Sequence, residues 1–388
     1  MESELPDQPE FSPQELRLAV VNSALAFRGY NVTNLGRTAE LMAHPAYGPI
    51  MRPKLIEASA ICSEAIGRNV DLVSRVELQR ETALADYAEA ISLIVAVEQA
   101  QLAMLEHCHS IDAHDARLSF GFSLGEIAAL VYGRVATMAD ALRIPLAMSD
   151  DCVSLAADVT LGILFSRGES VSYDRVWQLC QEINQQGQGV IGISAQLAPN
   201  SLLVMGTSDT VDQLKSRVKS EFPRGVQLRK NEHPWPPLHT PIMWNRNIPN
   251  RSAVMLHQLP GGFNIPKPPI FSLATASFGY DGVRNRLVLA EWVDRSQRLW
   301  DAVYETMAMG IDLVLHVGPA PNIVPATFSR LAANVEQQTR QNPGMRALSV
   351  AVRRTWLNRV LPKRTALLRA PYVKQLILED WLLSHPPV

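Results

Sequence analysis

Residues 118–133 read LSFGFSLGEIAALVYG, and this stretch decides the fold. Leu118 to Phe122 make a short apolar run of strand type, Gly121 and Gly125 flank Ser123, and Glu126 to Val131 carry a helical pattern that ends near Gly133. A G-x-S-x-G sequence between a strand and a helix is the setting of a nucleophile elbow, because the glycines let the chain turn sharply without a Cβ clash. The turn projects Ser123 at the N-terminus of the next helix, where unpaired backbone N–H groups and the positive dipole end favour an oxyanion.

Working outward, LAVVNSALAF (18–27) reads as a buried strand entry, followed by the turn RGYNVTNLG (28–36) and a helix over about 37–42, with residues 1–15 expected to be a mobile N-terminal segment. YAEAISLIVAVEQAQLAML (87–105) has apolar residues at three- and four-residue spacing without Gly or Pro, so it predicts a long buried helix. After the elbow, residues 151–225 give a helix (172–184), two strands (190–197 and 202–205) around the Pro199-Asn200 turn, a second helix and a last strand near Val226, the order of a small α+β insert. The chain then crosses PWPPLHTPIM (234–243) and returns to a strand at 270–276, a helix at about 290–309 and a strand at 312–317. Strands alternating with helices predict an α/β fold with a mostly parallel sheet, built from residues 16–150 and 226–345.

A chain of 388 residues, 47% hydrophobic and 19% charged, has material for a large core. Its net charge of -2 excludes general nucleic-acid affinity, which rests on surplus Lys and Arg. Cys62, Cys108, Cys152 and Cys180 are irregularly spaced, as reduced thiols of a cytosolic protein would be. No uninterrupted run of eighteen apolar residues predicts a membrane span, and the acidic N-terminus does not read as a secretory signal.

Taken with its flanks, GFSLGEIAALVYGRVATMADALR (121–143) closely resembles the GHSLGE segment of malonyl-CoA:acyl-carrier-protein transacylases and polyketide synthase acyltransferase domains. PPLHTPIM (236–243) matches that family's histidine loop, and RSQRLWDAVYETMAMGIDLVLHVGPAP (295–321) its Trp-centred helix and following strand. The resemblance spans about residues 20–335 and implies an α/β-hydrolase-like large domain with an inserted ferredoxin-like subdomain (151–225). It further implies that Ser123 attacks an acyl-CoA thioester, that His239 is its base, and that the phosphopantetheine thiol of an acyl carrier protein takes the acyl group from the enzyme. The histidine-orienting backbone carbonyl is carried over to Val293, and the oxyanion-hole amides to Leu124 and Tyr30. Ketosynthase or other synthase subunits are implied as further partners; no cofactor or metal is expected.

The departures bear on substrate. Phe122 stands where the family has a pocket histidine. Met148 stands 25 residues after Ser123, where malonyl-specific members place a carboxylate-binding arginine. A malonyl carboxylate would lose its anchor there, so an uncharged acyl group is expected, unless Arg28 or Arg143 supplies the charge. Glu89 falls near a pocket Gln of the family, with a solvated helix residue as the plainer reading. The cluster His107, Cys108, His109, Asp112, His114 and Asp115 fits no structural zinc spacing. Residues 346–374 carry eight Lys and Arg and no acidic side chain, predicting a basic C-terminal extension over 346–388 that docks an acidic carrier, a membrane surface or another subunit, or else packs on the core. An acyl-carrier hydrolase using the same dyad, and a non-catalytic scaffolding relative, stand as alternatives.

Overall fold

The structure, a computed structural model, describes residues 10–167, 170–340 and 363–387. Among these, eight strands are β1 (Ser23–Phe27), β2 (Leu118–Gly121), β3 (Val159–Phe165), β4 (Ile191–Ala198), β5 (Ser201–Thr207), β6 (Gln227–Lys230), β7 (Leu313–Val317) and β8 (Lys374–Ile377). The first sheet is parallel in the order β2-β1-β7-β8, and the second is antiparallel in the order β4-β5-β3-β6.

All five residues of β1 are buried, as expected where helices cover both faces of a parallel sheet. The two-residue side-chain period splits them: Leu25 and Phe27 join the core that contains the helix Tyr87–His109, while Ala24 and Ala26 join the core of the helix Leu299–Ala308. The segment Leu84–His109 is long and apolar enough to cross a membrane, but 94% of its most apolar window is buried inside the protein, which makes it the central core helix. The insert runs β3, helix Tyr173–Asn184, β4, β5, helix Thr210–Glu221, β6, a ferredoxin-like βαββαβ unit around its own apolar core. Ser172 caps its first helix by accepting the Arg175 N–H.

Several elements differ from their expected form. Residues 13–20 are helical, opened by a Ser12/Glu15 capping box over a buried Phe11, so order begins before residue 16; residues 1–9 lie outside the described residues. The strand β3 was not anticipated. Residues 270–276 form no regular strand but two isolated bridges, a parallel one from Ile270 to Ser119 and an antiparallel one from Ser272 to Ser277. The helix expected over 290–309 is two, Asn285–Glu291 and Leu299–Ala308, separated by an irregular stretch. The described end of the C-terminal extension packs on the core, the plainer of its two readings, but partly as a strand: β8 extends the parallel sheet beside β7, and the helix Leu378–Ser384 packs on the core helix. Residues 346–362 of that extension lie outside the described residues.

Candidate active site

β2 ends at Gly121 and the helix Leu124–Tyr132 starts immediately after Ser123, which leaves only Phe122 and Ser123 to make the turn. Its backbone sits at φ 54°, ψ -116°, a conformation that a residue with a Cβ adopts only when its surroundings enforce it. Both flanking glycines are required by space. A Cβ on Gly121 would run into the backbone of Gly125, and one on Gly125 into the carbonyl oxygen of Phe27 at the end of β1.

His239 reaches this turn from the Pro-rich loop. Its Nε2 lies 2.7 Å from Ser123 Oγ, and its Nδ1 donates to the carbonyl oxygen of Trp292 at 2.7 Å. The expected orienting carbonyl, Val293, is displaced by one residue: Val293 O accepts the backbone N–H of His239 at 2.9 Å, and the neighbouring carbonyl takes the ring. Trp292 binds at both ends, since its indole Nε1 also donates to Ser123 O at 2.8 Å. Fixing Nδ1 as a donor leaves Nε2 as the acceptor for the serine hydroxyl, the tautomer a general base needs.

The loop after β1 crosses the elbow closely, with a Cβ on Gly29 falling 2.5 Å from Phe122 O and 3.2 Å from Ser123 Cβ. That places Tyr30 beside the turn. Leu124, the first helical residue, has no intrahelical acceptor for its N–H. The loop is held by Arg28, which is buried. Its Nε donates to Gly29 O at 2.8 Å, one terminal nitrogen to Pro319 O at 2.5 Å and the other to Asn34 Oδ1 at 2.8 Å. Burial lowers the Arg28 pKa to about 10, opposed by Glu98, so the guanidinium stays charged at neutral pH. Glu379 of the C-terminal helix accepts the amides of Arg37 and Ala320 at 2.9 and 3.1 Å, tying that end of the chain to the same loops.

The expected pocket residues part company. Phe122 is partly buried, against the core on the Leu299–Ala308 side. Met148 is buried between the helices Met138–Ala147 and Ser149–Ala156, in the same apolar cluster as Leu124, Tyr87 and Trp292. Glu89 is corrected: Arg75 binds it at 2.5 Å and Arg68 at 3.2 Å, so its carboxylate belongs to ion pairs at the end of the core helix. Neither arginine suggested as a substitute anchor is placed for it, since all three Arg28 nitrogens are engaged and Arg143 is exposed. Of the His/Cys/Asp cluster, His109 turns to Tyr47 and His114 to Asp112 and the Tyr132 carbonyl.

Two residues at the site were not anticipated. Gln297, fully buried in the break between the two helices, accepts the Ser123 N–H on Oε1 at 3.1 Å. Trp235 packs edge-on against Tyr30 at 5.9 Å, and Tyr30 against Tyr87 at 4.9 Å, making an aromatic wall beside the loop. A Trp four residues before the matched histidine was the signal available for the second; the first had none.

Burial lowers the His239 pKa to about 4, partly offset by the Trp292 carbonyl. The ring is therefore neutral and able to accept a proton across the physiological range. Between pH 4 and 6.5 the unfolded chain holds a proton at this ring that the folded chain does not, so stability rises with pH through that window and is constant above it. The contribution is on the order of 3 kcal/mol. His316, pushed to about 3 by burial, adds a slope of the same sign, whereas Glu126 and Glu379, raised to about 7 by burial, lose stability as pH climbs from 4.5 to 7. The His239 share is read as the difference in unfolding free energy between the parent and His239→Gln across pH 4–7, which should narrow as pH falls. A pH-independent difference would exclude a depressed His239.

No family model matches the chain, and no curated protein matches it by sequence. Solved structures do. A malonyl-CoA:acyl carrier protein transacylase from Xanthomonas oryzae aligns over 77% of this chain and 88% of its own, at 21% identity and a TM-score of 0.60. The acyltransferase domain of the polyketide synthase PpsC from Mycobacterium tuberculosis aligns over 80% and 87%, at 16% identity and a TM-score of 0.61. A malonyl-transacylase in complex with a type II polyketide synthase acyl-carrier protein aligns over 77% and 89%, at 17% identity and a TM-score of 0.58. With its parallel sheet, its antiparallel insert and its elbow at the end of β2, this chain has the fold of the malonyl-CoA:acyl-carrier-protein transacylases and polyketide synthase acyltransferase domains.

Proposed function

We propose that the chain is an acyltransferase that moves an uncharged acyl group from coenzyme A to the phosphopantetheine thiol of an acyl carrier protein through an acyl-enzyme on Ser123. The observation that carries this reading is the 2.7 Å approach of His239 Nε2 to Ser123 Oγ with Nδ1 fixed on a backbone carbonyl. In acylation the Ser123 hydroxyl proton passes to Nε2, the Oγ–C bond forms, and the C–S bond breaks as the proton goes on to the departing thiolate. The carrier thiol then gives its proton to Nε2, forms its own C–S bond, and the Oγ–C bond breaks with the proton returned to Ser123. The N–H groups of Leu124 and Tyr30 receive the oxyanion in both steps. A carbonyl suffices as orienter because the buried ring is already neutral.

A scaffolding role would leave no reason to hold Ser123 in a costly backbone conformation against a buried neutral histidine. Intact-mass spectrometry after incubation with acetyl-, propionyl-, malonyl- and longer acyl-CoAs tests the reading. We expect an adduct of one acyl group that leaves faster on addition of a holo-carrier protein than in buffer. An adduct lost equally fast to water would point to a hydrolase, and no adduct with any thioester would overturn the proposal.

A further inference from the structure

We infer that Gln297 is the positioning residue through which the insert holds the nucleophile and base in register. The inference rests on the acyltransferase reading. Gln297 sits in the irregular stretch between the helices Asn285–Glu291 and Leu299–Ala308, and its backbone is taken up by the insert. Its N–H donates to Ser194 O at 2.8 Å, and its carbonyl accepts the Gln196 N–H at 2.8 Å, a one-residue parallel bridge to β4. Its side chain points the other way, into the dyad, with Oε1 on the Ser123 N–H at 3.1 Å and Nε2 3.3 Å from His239 Nδ1. A single residue therefore touches the insert, the elbow and the base, with no solvent access.

The chemistry of the two amide ends assigns their roles. Ser123 N–H can only donate, so the oxygen of Gln297 must face it and the NH₂ must face the imidazole. Nδ1 already donates to Trp292, which means that the 3.3 Å approach is a contact between two donors and not a hydrogen bond. A donor dipole at that distance disfavours the imidazolium, in the same direction as the burial of the ring. Four charged groups on the neighbouring elements are committed elsewhere. Asp294 takes the Trp244 indole at 2.7 Å, Arg298 pairs with Asp301 at 2.8 Å, Glu126 accepts from Tyr280 and Leu273, and Arg28 is closed within its loop. Gln297 is thus the polar side chain set to tune both members of the dyad, and movement of β4 relative to the large domain would carry it along.

Two variants separate positioning from mere packing. Gln297→Leu keeps the volume and removes the acceptor for Ser123; the maximal acylation rate with acetyl-CoA should fall about 10- to 100-fold, with half-saturation within about threefold of the parent. Gln297→Glu keeps the acceptor and replaces the donor facing Nδ1 by a carboxylate oxygen. Its plateau rate should stay within about tenfold of the parent, while the His239 titration, followed by the imidazole proton resonances, moves upward by about one unit or more. The resonance arm needs no turnover. Should the parent fail to acylate with any thioester, the functional reading falls while the titration still decides the contact. An unshifted His239 titration in Gln297→Glu, or a Gln297→Leu variant that acylates at the parent rate, overturns the inference.

Discussion

Ser123→Ala is expected to abolish the covalent acyl adduct while leaving the fold intact, and His239→Ala to slow acylation by about two to four orders of magnitude. The structure explains why the first change should be so clean. The bonds that hold the elbow at Ser123 are to its backbone, from the Trp292 indole to its carbonyl and from its N–H to Gln297, so removing Oγ disturbs neither. The φ of 54° is no harder for Ala than for Ser. His239→Ala is less innocent, because the ring is buried and its loss also frees the Trp292 carbonyl, with about 1–3 kcal/mol of stability at stake. His239→Gln therefore belongs beside it as a volume control. Adduct formation is read by intact mass, with melting temperature measured on the same samples. An alanine variant at Ser123 that labels as fast as the parent would remove the nucleophile from the mechanism; an unchanged rate at His239→Ala would remove the base.

The parts of the site legible in the sequence are those whose geometry is local. The elbow follows from two glycines and a serine between apolar runs, and the core helix Tyr87–His109 from its uninterrupted apolar spacing. Elements whose identity depends on a distant partner were not legible. KQLI at 374–377 is a strand because β7 lies beside it, and four residues in a basic context carry no signal of that pairing. VTLGILF at 159–165 follows the helix Ser149–Ala156 without a Gly or Pro to mark its start, so its role as an interior strand of the insert emerges only from pairing with both β5 and β6.

The same limit hid the machinery around the dyad. WVDRSQR (292–298) lacks helix breakers and continues the helical composition on either side, yet it leaves the helix so that Trp292 and Gln297 can reach Ser123 and His239. A regular helix there would fix their directions along its own axis and could not deliver both to one turn. The one-residue displacement of the orienting carbonyl, from Val293 to Trp292, has the same origin: neighbouring carbonyls in an irregular segment point in different directions, and residue counting cannot say which one faces the ring.

Acetyl or a longer uncharged acyl group is expected to acylate the enzyme better than malonyl, by roughly thirty- to a thousandfold, the worth of a lost bidentate charge-assisted pair of about 2–4 kcal/mol. Met148 is buried in the apolar cluster that also contains Leu124 and Trp292, an environment in which an unpaired carboxylate is strongly disfavoured. The candidate compensating arginines are occupied or turned away: Arg28 is held by Pro319 and Asn34, Arg68 and Arg75 hold Glu89, and Arg143 is exposed. Met148→Arg tests the assignment directly. If the side chain at 148 faces the acyl group, the variant should raise malonyl acylation relative to acetyl by about tenfold or more, since the guanidinium gains a partner only when malonyl is bound. A variant that melts within a few degrees of the parent and shows no such gain would place the acyl pocket elsewhere. A parent that already prefers malonyl-CoA would mean that its carboxylate is read by a group other than residue 148, and selectivity would then have to be sought along the aromatic wall of Tyr30, Tyr87 and Trp235.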